Sequence, residues 1–211
     1  MKPRRSGSAG AVRIIGGEWR GTRLPVADLD GLRPTSDRVR ETLFNWLQPK
    51  IAGARVLDLF AGSGALGFEA ASRGAREVLL VEREPGIVRT LRGTADRLKA
   101  GERVHIVQAD ALAWLQAPLH GRFDLVFVDP PFDAELWPRV LERLPPWLAD
   151  DAWLYLETPA QGATAPGPAW QPHREGRTRE VRYGLYRRVR PASEAVTLAP
   201  DPTPTAPIPD A

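Results

Sequence analysis

Val56-Leu57-Asp58-Leu59-Phe60-Ala61-Gly62-Ser63-Gly64-Ala65-Leu66-Gly67 is the stretch from which the fold is read. The apolar run at its start predicts a short buried strand over residues 55–59. The glycines behind it let the backbone turn tightly and approach a ligand closely. Residues 62–67 match G-x-G-x-x-G, a weak pattern alone, with Gly67 also readable as a glycine that packs a helix on a strand. No Lys-Ser or Lys-Thr follows the glycines, so this is not a P-loop. Asp58 ends the strand where a dinucleotide would place its pyrophosphate. A carboxylate there repels phosphate and suits a cation, which favours S-adenosylmethionine over NAD.

Outward from that turn the chain alternates. Strands are predicted at 55–59, 77–82, 103–107, 123–128 and 152–157, and helices at 64–73, 85–99, 110–117 and 134–148. This order argues a Rossmann-like α/β domain over 51–190, with a mostly parallel sheet covered on both faces. Glu82 ends the second strand, where an acid can bind ribose hydroxyls. Asp110 follows the third strand and is placed to meet an adenine amino group. Residues 170–175 and 179–189 read as a closing pair of strands, with Val181, Tyr183, Leu185 and Val189 on one face.

The strand at 123–128 runs into Asp129-Pro130-Pro131-Phe132. Asp129 precedes a proline and is held extended. Neither proline has an N–H to donate, so each offers a carbonyl oxygen in a fixed direction. A carboxylate beside such a carbonyl makes two acceptors for a planar –NH2 group, and Phe132 adds a flat surface for a base. The chemistry suggested is work on the exocyclic amine of a nucleobase. A plain strand-to-helix turn, with Asp133 as helix cap, is the alternative.

Ahead of the domain, residues 1–11 read as a flexible basic arm. Residues 12–50 read as an extension, with a small hairpin around Gly16-Gly17 and Gly21. A helix follows over 37–48, with Val39, Leu43, Trp46 and Leu47 on its apolar side and Arg38, Glu41 and Asn45 opposite. Residues 191–211, with six prolines, read as a disordered tail.

The chain has 211 residues, enough for one well-buried domain. Without cysteine it has neither disulfides nor thiolate-held zinc, and its three histidines form no i,i+4 pair, so no metal site is expected. The absence of an apolar h-region and of a long apolar run points to a cytoplasmic protein. The net charge of +3 is unevenly spread. Residues 1–50 carry ten Lys or Arg against five Asp or Glu, 51–172 twelve against sixteen, and 173–190 seven against two. Basic segments flanking an acidic middle fit a nucleic-acid partner. Arg33, Arg38 and Arg40 are the phosphate candidates nearest the site.

The sequence resembles the class I S-adenosylmethionine-dependent methyltransferases and, more closely, the RsmD family of small-subunit ribosomal RNA guanine-N2 methyltransferases. The resemblance spans about residues 12–190. It rests on Arg13-Ile14-Ile15-Gly16-Gly17 with Trp19-Arg20-Gly21, and on Leu32-Arg33-Pro34-Thr35 running through Asp37 to Leu47. Asp58 to Gly67 and Phe127 to Phe132 complete it. It implies S-adenosylmethionine contacts at Asp58, Phe60, Gly62, Ser63, Gly64, Glu82, Asp110 and Ala111. It implies a guanine held by Asp129, Pro130, Pro131 and Phe132, and RNA contacts at Arg13, Arg33, Thr35, Arg38 and Arg40. The implied substrate is ribosomal RNA within the assembled small subunit, and the implied enzyme a monomer without metal. A DNA adenine-N6 methyltransferase uses the same motif logic, but needs a DNA-reading region for which about fifty residues are left. A non-enzymatic RNA-binding protein on this fold would be expected to have lost one of the two intact motifs.

Overall fold

The computed structural model describes residues 11–26, 36–117, 121–130, 136–161 and 165–189. The arm before residue 11, the loop with Arg33 and Thr35, Pro131, Phe132, Asp133 and the proline-rich tail lie outside them.

Ala11–Arg13 (β1) and Arg23–Pro25 (β2) pair antiparallel, and Asp37–Ile51 forms α1, capped by the Ser36 side chain. The alternating region follows as Arg55–Asp58 (β3), Ala65–Ser72 (α2), Glu77–Glu82 (β4), Pro85–Leu98 (α3), Val104–Gln108 (β5), Ala111–Trp114 (α4), Phe123–Val128 (β6) and Leu136–Arg143 (α5). Leu148–Pro159 (β7), Trp170–Arg177 (β8) and Val181–Arg188 (β9) complete it. The seven-stranded sheet has the order β5-β4-β3-β6-β7-β9-β8. β3 pairs parallel with β4 and β6, β4 with β5, and β6 with β7, while β9 runs against both β7 and β8. The order reverses between β3 and β6, and in such sheets that crevice takes the ligand.

Side chains alternate across the sheet as strands require. Val56, Val78, Leu80, Leu125, Phe127, Tyr155 and Leu185 pack with α1, α2, α3 and the β1–β2 hairpin. Leu57, Leu79, Val81, Val126, Val128, Leu154 and Leu156 pack on the other face with α4 and α5. The N-terminal extension therefore belongs to one of the domain's two core layers.

Two expected helices fall short by more than a residue or two at one end. The helix predicted to run to 148 ends at Arg143, because Pro145 and Pro146 lack the N–H groups another turn needs; they form a 3-10 turn, and β7 starts at Leu148. The helix predicted over 110–117 is only Ala111–Trp114. In β9, Leu185 is buried, but Val189 lies beyond the strand and is 43% exposed.

A candidate cofactor and nucleobase site

The β3–α2 turn has the conformation its glycines were expected to allow. Gly62 and Gly64 sit at φ +50° and +75°, a region L side chains rarely adopt. Gly67 has a different job: a Cβ there would run into the Leu80 side chain, so it lets α2 lie close on β4.

Acids end the strands along this edge, and on the β3–β4–β5 side they are held by backbone N–H groups. The Asp58 Oδ2 accepts from Gly67 N at 3.0 Å. The two Glu82 oxygens accept from Gly62 N and Glu84 N, both at 2.9 Å, which pins the glycine turn to the end of β4. Each carboxylate oxygen keeps a second lone pair for a ribose hydroxyl. Asp110 caps α4 through one oxygen, Oδ1, to Leu112 N and Ala113 N at 3.0 Å, and stays exposed. Ala111 is buried at the start of α4, and Phe60 and Ser63 are half-buried.

Asp58 is 2% exposed and, among the described residues, has no cationic partner. Burial, aided by the nearby Glu82 charge and opposed by the Gly67 and Phe60 N–H groups, pushes its carboxyl up to about 7. A buried acid of this kind is completed by a cation. The site thus combines two positive-φ glycines, a ribose-type acid and an uncompensated buried carboxylate. That set fits a cationic nucleoside cofactor and does not fit one carrying phosphates.

Across the switch point, Asp58 registers with Phe127, so Asp129 begins two residues beyond, beside Asp58's strand end. Asp129 is half-buried and Pro130 buried. Next to them lies an acid the sequence reading missed. Glu157, 6% exposed near the end of β7, accepts the Tyr155 hydroxyl at 2.6 Å. Burial raises the Glu157 carboxyl, against the effect of that hydrogen bond. Burial first, then the Glu157 and Asp129 charges, raise the Tyr155 phenol well above its ordinary value. Val128 registers with Leu156, which brings the Asp129 and Glu157 ends together. The signal was available: Tyr155 and Glu157 have the same parity in a strand, so both face one side.

Arg13 and Arg38 are exposed, as a phosphate contact requires. Arg40 is not available for one. It is fully buried, with Nη2 donating to Arg13 O at 2.8 Å and Asp37 Oδ1 at 2.6 Å, and Nη1 3.8 Å from Glu69. Glu69, itself fully buried, also accepts from Ile15 N at 2.7 Å, Gly16 N at 2.8 Å and Arg73 Nε at 2.6 Å. Arg40 thus belongs to a clasp tying the N-terminal segment to α2. Ser72 reinforces it, accepting from Trp19 N at 2.9 Å and donating to Gly16 O at 2.6 Å.

The strand order with β9 alone reversed, the glycine turn and the acids at successive strand ends define a class I S-adenosylmethionine-dependent methyltransferase fold. A family model described as conserved hypothetical protein 95 matches residues 12–187. The chain is 47% identical over 190 residues to ribosomal RNA small subunit methyltransferase D of Escherichia coli strain K12, covering 89% of this chain and 94% of that protein. Against the protein of the same name from Haemophilus influenzae it is 42% identical over 181 residues, covering 84% and 94%. A solved Escherichia coli structure superposes with a TM-score of 0.76 at 45% identity, covering 85% of this chain and 98% of the other. The chain belongs to the ribosomal RNA small subunit methyltransferase D family.

Proposed function

We propose that the protein transfers a methyl group from S-adenosylmethionine to the exocyclic N2 amine of a guanine in small-subunit ribosomal RNA. The reading places the enzyme in the cytoplasm, acting as a monomer on RNA within the assembled small subunit. The observation that carries it is the position of Asp129-Pro130 across the switch point from Asp58. Its support in relatives is the activity named for the Escherichia coli and Haemophilus influenzae proteins.

The cofactor, when bound, supplies a methyl group already activated on a sulfonium. The rest is positioning by this chain. Glu82 takes the ribose hydroxyls, Asp110 offers its second oxygen to the adenine amine, and Asp58 meets the cofactor's positive charge. Gly62 and Gly64 turn the backbone tightly at positive φ beside the cofactor, and at Gly64 the missing Cβ leaves room for Phe68 and Leu91. Asp129 and the Pro130 carbonyl accept the two hydrogens of the guanine amine and aim its nitrogen. The amine is a weak nucleophile because its lone pair is delocalised into the ring, so orientation is where the barrier is lowered, by about 7–11 kcal/mol in favourable cases. The base must leave its stack to enter. After transfer the amine loses a proton, and Asp129 is its acceptor in this reading. Pro131, Phe132, Arg33 and Thr35 keep their proposed parts on guanine and RNA.

The test is labelled methyl transfer to small ribosomal subunits, naked ribosomal RNA and DNA, followed by nucleoside analysis. N2-methylguanosine from the small subunit is the expected product. N6-methyladenine in DNA would refute the assignment.

A further inference from the structure

The site-bearing face of the sheet continues past Asp129 and Glu157, where it carries aromatic rings and exposed cations. Glu157 registers with Tyr183, Tyr155 with Leu185 and Trp153 with Arg187. Tyr183, Trp153 and Trp46 all pack against the core layer that holds Phe127 and Tyr155, and are themselves half-exposed. Trp46 of α1 stacks on Tyr183 with ring centroids 5.7 Å apart and planes 26° apart. Further along, Trp153 meets the His173 ring edge-on at 4.9 Å, and the Lys50 ammonium lies 5.7 Å from the Trp153 centroid.

The edge strand contributes through an irregularity. Pairing between β8 and β9 shifts between Pro172 and Arg174, so Gln171 registers with Arg187 and Arg174 with Leu185. An extra residue in one strand re-aims the side chains around it. Here it puts both His173 and Arg174 on the face that carries Trp153 and Leu185.

Three exposed cations lie on this surface. Lys50, Arg174 and Arg187 are exposed, and among the described residues none of the three forms an ion pair. Arg177 and Arg182 on the opposite face are exposed and form no ion pair among the described residues either, so it is the neighbouring rings that distinguish this face. Charges left unmatched beside half-exposed aromatic rings are what a single nucleic-acid strand needs, phosphate contact alternating with a stacking surface. From Tyr183 to Arg187 the run is about 13 Å at strand spacing.

We propose that the face formed by the C-terminal half of α1 with β7, β9 and β8 carries the single-stranded RNA leading to the target base. Lys50, Arg174 and Arg187 take its phosphates, and Trp46 and Trp153 offer stacking surface. The inference rests on the proposed function and names where its substrate lies. The opposite face of the same strands supplies the control, because Arg177 and Arg182 register with each other there, beside Glu175 and Tyr186.

The experiment compares a Lys50→Ala, Arg174→Ala, Arg187→Ala triple variant with an Arg177→Ala, Arg182→Ala double variant. Methyl transfer is followed on small subunits, and binding of naked small-subunit ribosomal RNA is titrated against salt. The triple variant is expected to raise KM about tenfold or more. It is also expected to flatten the log–log salt slope by about two, because three phosphates of a single strand are no longer neutralised. Its kcat, cofactor affinity and melting temperature stay those of the parent, and the double variant changes KM less than twofold. A triple variant indistinguishable from the parent, or a double variant equally impaired, overturns the assignment. Impaired transfer to assembled subunits with unchanged binding of naked RNA also overturns it, transferring the face to a protein partner. If the unsubstituted chain methylates no RNA, the proposed function falls and takes this face with it; active parent and unaltered triple variant remove this face alone.

Discussion

The two halves of the sheet hold their acids in different ways. On the β3–β4–β5 side each acid is gripped by the turn that follows its own strand or the neighbouring one: Asp58 by Gly67 N, Glu82 by Gly62 N and Glu84 N, Asp110 by Leu112 N and Ala113 N. On the β6–β7–β9 side Glu157 is held by a side chain, the Tyr155 phenol, with Tyr183 facing it from an antiparallel strand. Backbone donors fix a carboxylate whatever side chains surround it. Phenol and carboxylate adjust together. The difference separates a half built to hold one unchanging cofactor from a half that can be retuned to its base.

The sharpest way to break that comparison is at Asp129. Asp129→Ala is expected to cut turnover about 10²-fold or more with cofactor affinity and melting temperature unchanged, read by single-turnover methyl transfer and calorimetry. Asp129→Asn then separates orientation from proton acceptance, because an amide oxygen still accepts a hydrogen bond but is a poor base. Substantial activity in Asn means that the carboxylate mainly aims the amine; near-total loss means that its charge or basicity is used. A fully active Ala variant would remove the β6 end from the catalytic site.

Glu82→Ala should act on the other half alone. It removes charge-assisted bonds to ribose and frees the Gly62 turn, so calorimetric affinity for S-adenosylmethionine should fall by about 1–3 kcal/mol. An equal loss in RNA affinity, with cofactor binding intact, would erase the division between the halves.

The smallest effect is a pH dependence at Asp58. Its carboxyl is raised to about 7 in the folded chain, and only the ionised form complements a cation. Cofactor affinity should therefore rise about tenfold between pH 6 and pH 8. The stability sign is opposite. The folded state binds more protons than the unfolded state between the ordinary aspartate range and about 7, so the apo protein loses stability as pH rises through that window. Glu157, raised by burial, acts in the same direction. Thermal melts should show the cofactor's stabilising shift growing with pH, and Asp58→Asn should flatten both trends. A pH-independent affinity would mean that Asp58 meets no charge.

Sequence made the cofactor half legible because its chemistry is local. Strand, glycine turn and acid lie within a few residues, and the predicted edges of β3, β4 and β6 fall within a residue of those observed. The other half depends on pairings between distant segments. Glu157 gains its meaning only when β9 lies antiparallel to β7 and Asp129 ends the strand on its other side. Arg40 was misplaced for a different reason. It lies three and four residues before Leu43 and Phe44, on the apolar stripe of α1, so helical spacing marked it as buried. Reading it by charge alone overrode that signal. The stop of α5 at Arg143 is local too, because Pro145 and Pro146 lack the N–H groups of a further turn.

The clasp of Arg40, Glu69, Arg73 and Ser72 determines where this chain can be divided. The seven-stranded sheet resembles a module that could be lifted out at residue 52, after α1. Such a cut would leave Glu69 without Arg40 and without the Ile15 and Gly16 N–H groups, an acid in the interior stripped of most of its partners. A cut before residue 11 crosses none of these bonds. As a unit of inheritance or of engineering, the smallest portable piece therefore starts with the hairpin. Any recruitment of this domain into a larger enzyme must carry the N-terminal segment with it.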